Sequence, residues 1–220
     1  MRNDKHLAEK LRRKNKSYNK ISKELGIPKS TLVYWFKNEE WSQEIKKELS
    51  RKALYLSKKR LILINKARRE KWERWRQTFR NQAKKEFNKL KRNPLFIAGL
   101  MLYWGEGDSK MENSLVRLSN TDSEMIRIFS KFLKKICCVP MEKIKISLVL
   151  YPDLNNRICI KFWSEKSGIP QSQFFKTQVI YGKHPTKKLS YGICNIIVSS
   201  RGLKEKIFTW LNLYKNELTK

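Results

Sequence analysis

Histidine is almost missing from this chain of 220 residues: there are two, His6 and His184. That scarcity argues against a histidine-built metal centre or a Ser-His-Asp triad, and leaves carboxylates as the natural carriers of any catalysis. Acidic residues are also sparse, at 20 against 50 lysines and arginines. The resulting formal charge of +30 far exceeds what solubility requires and points to a polyanionic partner, with nucleic acid as the first candidate and an anionic membrane surface as the rival. No apolar run approaches the roughly 20 residues of a membrane-crossing helix, and the first residues lack the apolar centre of a signal peptide, so the expectation is an intracellular, cytoplasmic protein with no membrane partner. The four cysteines, Cys137, Cys138, Cys159 and Cys194, show no C-x-x-C spacing and read as buried, reduced thiols.

Enough remains to build a core. Hydrophobic residues make up 40% of the chain and aromatics 11%, which excludes wholesale disorder. Glycine and proline gather at a few points, Gly26 to Pro28, Pro94, Gly105 to Gly107, Pro140, Gly168 to Pro170 and Gly182 to Pro185, and these divide the chain. The charge is unevenly shared: up to Asn93 there are 30 basic and 10 acidic residues, and from Pro94 onward 20 and 10.

Three segments follow. In residues 1–40, Ser17 is placed to cap a short helix carrying Ile21 and Leu25, Gly26 ends it, and Pro28 opens a second helix through Lys37. Small Ser22, Gly26 four residues later and Leu32 six after that suit two helices crossing steeply around a turn, a helix-turn-helix. The segment ISKELGIPKSTLVYWFKN resembles the helix-turn-helix of resolvase-like and phage regulatory proteins. On that resemblance Lys29, Ser30, Thr31, Tyr34 and Lys37 lie on or near the exposed face of a DNA-reading helix, while Leu32 and Trp35 or Phe36 pack inward. An ordinary helical hairpin is the plainer alternative.

Residues 41–93 contain neither glycine nor proline up to Arg92 and read as a basic helical linker of one or two long helices. A single helix of about 50 residues would be roughly 75 Å long. Trp72, Trp75, Phe79, Ala83, Phe87 and Leu90 recur at spacings of three and four, a packing seam that suits a contact between subunits. The surrounding lysines and arginines read as a solvated face able to touch phosphates.

Residues 94–220 change to mixed α/β character. An apolar helix, Leu95 to Trp104, is followed by an alternating run at Leu115 to Ser119, an amphipathic helix at Glu124 to Ile136, strict alternation at Lys143 to Leu150, a helix at Asn155 to Ser167, a strand at Ile193 to Ser199 and a final helix at Gly202 to Leu218. Within Lys143 to Leu148 the basic and polar residues share one face and Ile144, Ile146 and Leu148 the other.

FIAGLMLYWGEGDS, followed by VRLSNTDSEMIRIFSKFLKKI, resembles the motif helix and succeeding strand-helix unit of LAGLIDADG homing endonucleases, over Pro94 to about Leu218. The resemblance implies an α+β fold with a curved antiparallel sheet lying in the DNA major groove. It also implies a motif helix packed against its counterpart in a second unit, and an acidic residue at the helix end that binds divalent metal beside the scissile phosphate. Glu106 matches that acidic position between Gly105 and Gly107, with Asp108 as an alternative ligand, whereas Leu100 and Met101 stand where the family has small residues. Ala98, Met101 and Gly105 still form one stripe at about 100° per residue. With one motif per chain, the implied arrangement is a homodimer joined through the helix 94–106, each copy supplying Glu106 to Mg²⁺ for phosphodiester hydrolysis. Arg117, Ser119, Lys143, Lys145 and Ser147 become the candidates for contact with double-stranded DNA, and the loop Lys183 to Lys188 a weaker one. Two alternatives stay open: a regulator that keeps the fold for binding without cleavage, and an RNA-binding, maturase-like role.

Overall fold

The protein is described here by a computed structural model covering residues 4–181 and 189–219. Its contacts separate into two units, Met1–Lys71 and Trp72–Lys220. The described residues form eight α-helices and a mixed four-stranded sheet, an α+β architecture.

The first unit holds α1 (Lys5–Arg13), α2 (Tyr18–Leu25), α3 (Lys29–Phe36) and the beginning of α4 (Glu40–Leu90). Ser17 begins α2 because its side chain accepts a hydrogen bond from the Lys20 amide at 3.3 Å, satisfying an amide that the helix start leaves open. Gly26 ends α2 with φ +65°, a left-handed conformation that glycine adopts without steric cost. Pro28 then precedes α3 with its φ of −57° already suited to a helix entry. Ala8, Ile21, Ile27, Leu32 and Phe36 are buried together, ringed by Leu11, Tyr18, Leu25, Trp35 and Trp41. Each large side chain so buried contributes about 1.5–3 kcal/mol. Helix α1, which lies ahead of the two helices expected in residues 1–40, supplies Ala8 and a buried cation. Arg12 donates to the Ser42 hydroxyl at 3.1 Å and the Ser42 carbonyl at 2.8 Å, and its guanidinium stands 4.4 Å from the Tyr18 ring centre. Burial lowers the pKa of this guanidinium from its ordinary value.

In the second unit, α5 (Pro94–Glu106) starts on Asn93, whose side chain accepts from the Leu95 and Phe96 amides, with Pro94 in the first turn where its missing N–H costs nothing. There follow β1 (Leu115–Asn120), α6 (Ser123–Lys131), β2 (Ile144–Leu150), α7 (Asn156–Ser167), β3 (Gln178–Val179), β4 (Ile193–Ser199) and α8 (Arg201–Leu218). The α6 helix runs on into a π turn at Phe132–Ile136.

The strand order is β1-β4-β2-β3. Strand β4 pairs antiparallel with both β1 and β2, but β3 pairs parallel with β2. The sheet is therefore mixed rather than wholly antiparallel, because α7 carries the chain back across the sheet between β2 and β3. Alternation decides the faces: Ile144, Ile146, Leu148 and Leu150 of β2, with Val116, Leu118, Cys194, Ile196 and Val198, are buried against Phe96, Leu100, Tyr103, Phe129, Phe132 and Trp210 of the helices.

Helix α4 is continuous from Glu40 to Leu90, and its last turns belong to this core. Ala83 and Phe87 are buried, the Phe87 and Tyr214 rings meet edge to face at 5.0 Å, and the Trp210 indole donates to the Ala83 carbonyl at 3.0 Å. The buried Glu205 carboxylate draws Arg80 to 2.7 Å and Arg201 to 2.9 Å. The seam expected between subunits is thus largely a contact of α4 with α8 of the same chain, while Trp72 and Trp75 at its start are exposed. The cysteine expectation also needs correction: Cys159 and Cys194 are buried, but Cys138 is exposed, at φ +51°. Burial pushes the Cys137, Cys159 and Cys194 thiols above their ordinary pKa, so they stay protonated.

Candidate nucleic-acid interface

Helix α3 presents one side outward. Lys29, Ser30, Tyr34 and Lys37 are exposed and Thr31 is half-buried, while Leu32 and Phe36 point into the core. Tyr34, 71% exposed, projects into solvent with the Lys37 ammonium 5.3 Å from its ring centre. The ring supplies a flat apolar face and a hydroxyl, and the lysine a charge beside it, a combination able to meet a base edge and a phosphate at once.

The second cluster lies on the face of the sheet away from the core. Register places Ser119 of β1, Asn195 of β4 and Ser147 of β2 in one row, and Arg117, Ile197 and Lys145 in the next. The Ser119 hydroxyl donates to the Asn195 carbonyl oxygen at 2.5 Å, and the Asn195 amide donates to the Ser147 carbonyl at 2.9 Å. Lys145 donates to the Gln173 side chain. Arg117 is exposed and Ser119, Lys145 and Ser147 half-buried. Lys143 is exposed but sits in a 3-10 turn, Met141–Lys143, ahead of β2, because Pro140 gives that turn and delays the strand by one residue. Asn195 and Gln173 were not anticipated as site residues. Asn195 carried a signal, as the sole polar interruption between Ile193 and Val198; Gln173 carried none, since a short 3-10 turn brings it beside β2. The basic loop Lys183 to Lys188 lies outside the described residues.

Backbone pairing joins this face to the end of α5. Gly107 forms a bridge with Leu118 of β1, and the Asp108 amide donates to the Arg117 carbonyl at 2.9 Å. A side chain on Gly107 would stand 2.6 Å from the Tyr103 ring, which fixes glycine there. Glu106, the last residue of α5, is exposed. Asp108 is not: its side chain is 6% exposed, its Oδ1 accepts from the Lys110 amide at 3.0 Å and its Oδ2 from Asn113 at 3.1 Å. Arg117 and Lys204 stand 3.7 and 3.9 Å from it. Burial pushes the Asp108 carboxyl up, yet the Lys110 and Asn113 hydrogen bonds and the two cations together hold it below the ordinary aspartate value. Lys204 is itself fully buried and donates to the Lys110 carbonyl at 2.6 Å; burial lowers its pKa despite the opposing pull of Asp108.

Of the two carboxylates named as metal ligands, Glu106 is therefore the accessible one. Among the described residues no three His, Cys, Asp or Glu side chains form a metal-binding group. Mg²⁺ takes one or two carboxylates and completes its shell with water and phosphate oxygens, so Glu106 fits such an ion only where a phosphate is also present. Asp108, both of whose oxygens are engaged, does not fit as the alternative ligand.

On α5, Leu100 is wholly within the core of its own chain, while Ala98 and Met101 are half-buried and Gly105 is exposed, with Ile97 and Trp104 exposed alongside. No helix among the described residues is long and apolar enough to cross a membrane. Comparison with protein-family models, curated proteins and solved structures returns no match to this chain.

Proposed function

We propose that the protein binds double-stranded DNA sequence-specifically, through a helix-turn-helix formed by α2 and α3 and through the outer sheet face of a LAGLIDADG-like domain. The observation that carries this reading is the exposed side of α3: Lys29, Ser30, Tyr34 and Lys37 stand clear of a core that their neighbours Leu32 and Phe36 complete. The excess of positive charge supplies sequence-independent affinity through release of counterions, and the polar rows on the sheet supply a second set of contacts.

The activity we assign is divalent-metal-dependent DNA cleavage by a homodimer of homing-endonuclease type. Glu106 of each copy would hold Mg²⁺ together with a DNA phosphate, and the ion would polarise that phosphate and lower the pKa of the attacking water. Exposed Arg117 would meet a phosphate at the sheet, and the engaged Asp108 would keep the turn after α5 fixed with Glu106 exposed. The stripe of exposed Ile97, Trp104 and Gly105 with half-buried Met101 supports pairing of two α5 helices. A second reading, a DNA-binding regulator without cleavage, is favoured by one observation: Arg117 and Lys204 already pair with Asp108, leaving Glu106 without that carboxylate as a second metal ligand.

One experiment separates them. The protein and its Glu106→Gln variant are incubated with a random-sequence plasmid library with and without Mg²⁺, cut ends are sequenced, and bound fragments are recovered in parallel. Reproducible Mg²⁺-dependent cuts that the variant loses identify the endonuclease. Selective binding without cuts identifies the regulator, and absence of selective binding overturns both.

A further inference from the structure

Helix α4 is exposed throughout residues 51–75, yet this stretch is rich in large aliphatic side chains. Leu54, Tyr55 and Leu56, and then Leu61, Ile62, Leu63 and Ile64, are each between 43% and 67% exposed. Consecutive residues on a helix step by about 100°, so each of these groups encircles the helix instead of marking one side. Basic residues form bands between and beyond them: Arg51 and Lys52, then Lys58 to Arg60, then Lys66, Arg68 and Arg69. From Leu49 to Arg69 there are eight basic residues and no acidic one. The two apolar bands repeat at an interval of seven residues, about 10.5 Å along the axis.

We infer that this banded segment is a docking site for an acidic, helical protein that packs on more than one side of α4. Its apolar side chains would meet the bands at 54–56 and 61–64, and its carboxylates the basic bands. A helix apolar on all sides is normally buried, which the chain's own core does not do for this segment. Charge complementarity decides the occupant. A second copy would set the band Lys58 to Arg60 against its own like in either a parallel or a centred antiparallel pairing. A lipid surface requires an apolar face opposed to a polar one, whereas here both kinds of residue surround the axis. DNA phosphates would satisfy the cations, but six of the seven exposed apolar residues are aliphatic and offer no ring for a base to stack on.

The test uses the full chain and a fluorescent helical peptide of about 28 residues carrying leucines at seven-residue intervals among glutamates, with a control in which serine replaces leucine. We expect the leucine peptide to bind at least tenfold more tightly than its control, roughly 1.4 kcal/mol. A Leu56→Ser, Leu63→Ser double variant should lose that difference while keeping the parent's helical content and duplex-DNA affinity. Both positions are exposed, so the variant folds. Equal binding of the two peptides overturns the inference by reducing the site to charge. It also fails if the double substitution instead lowers affinity for phosphatidylglycerol–phosphatidylcholine vesicles or for duplex DNA tenfold, or abolishes self-association in sedimentation, since each outcome names a different occupant.

Discussion

Asp108 is placed where one charge holds several strands of chain. Its oxygens take the Lys110 amide and the Asn113 side chain, and its backbone amide reaches β1, so the turn after α5 is fixed before any ligand arrives. Lys204 lies fully buried beside it, and neutralising Asp108 would leave that cation without its nearest counter-charge. We therefore expect Asp108→Asn to destabilise the second unit at neutral pH by about 1–3 kcal/mol, seen as a fall in melting temperature. The sign of the pH dependence follows from the depressed folded-state pKa. A carboxyl held below its ordinary value of about 3.9 adds stability above that pH and loses it as pH falls through the folded value. The difference in melting temperature between parent and variant should accordingly shrink on titration from pH 7 to about 3. A difference constant with pH would mean that the variant acts through packing alone. None of this was legible in the sequence, because Lys204 is separated from Asp108 by almost the whole domain and carries the same letter as many solvated lysines.

Helices α2 and α3 were legible because their ends are written locally, in Ser17, Gly26 and Pro28, and β2 because alternation fixes its two faces. Strand β3 was not, since its two residues are held by backbone pairing with Val149 and Leu150 and not by any pattern of their own. The parallel pairing of β3 escaped for the same reason, and so did the partner of the aromatic seam on α4, because periodicity reveals an apolar stripe without saying what covers it. What covers it is α8, and the fit is close. A Cβ on Gly202 would stand 2.6 Å from the Phe79 ring. Gly202→Ala should cost about 1–3 kcal/mol in urea unfolding through overpacking, and Phe79→Leu in the same chain should recover part of the loss by making room. If the two costs simply add, the ring does not set the spacing of these helices.

Each unit carries its own candidate surface, and the two were not equally legible. The charge excess and the outward residues of α3 could be read from composition and spacing, whereas the row Ser119, Asn195, Ser147 exists only once non-consecutive strands are paired. The continuity of α4 has a consequence of another kind. Helices ordinarily loosen from their ends, where the last turns lack hydrogen-bond partners. Here both ends are clamped, by Trp41 and Ser42 in one unit and by Ala83 and Phe87 in the other, and the exposed turns lie between them. Amide hydrogen exchange along α4 should therefore show its least protection near the middle, over residues 51–71, with slow exchange on both sides. Fastest exchange at Glu40 or Leu90 would contradict this. A chain that melts from the centre of its longest helix keeps each unit's own core intact while that segment opens.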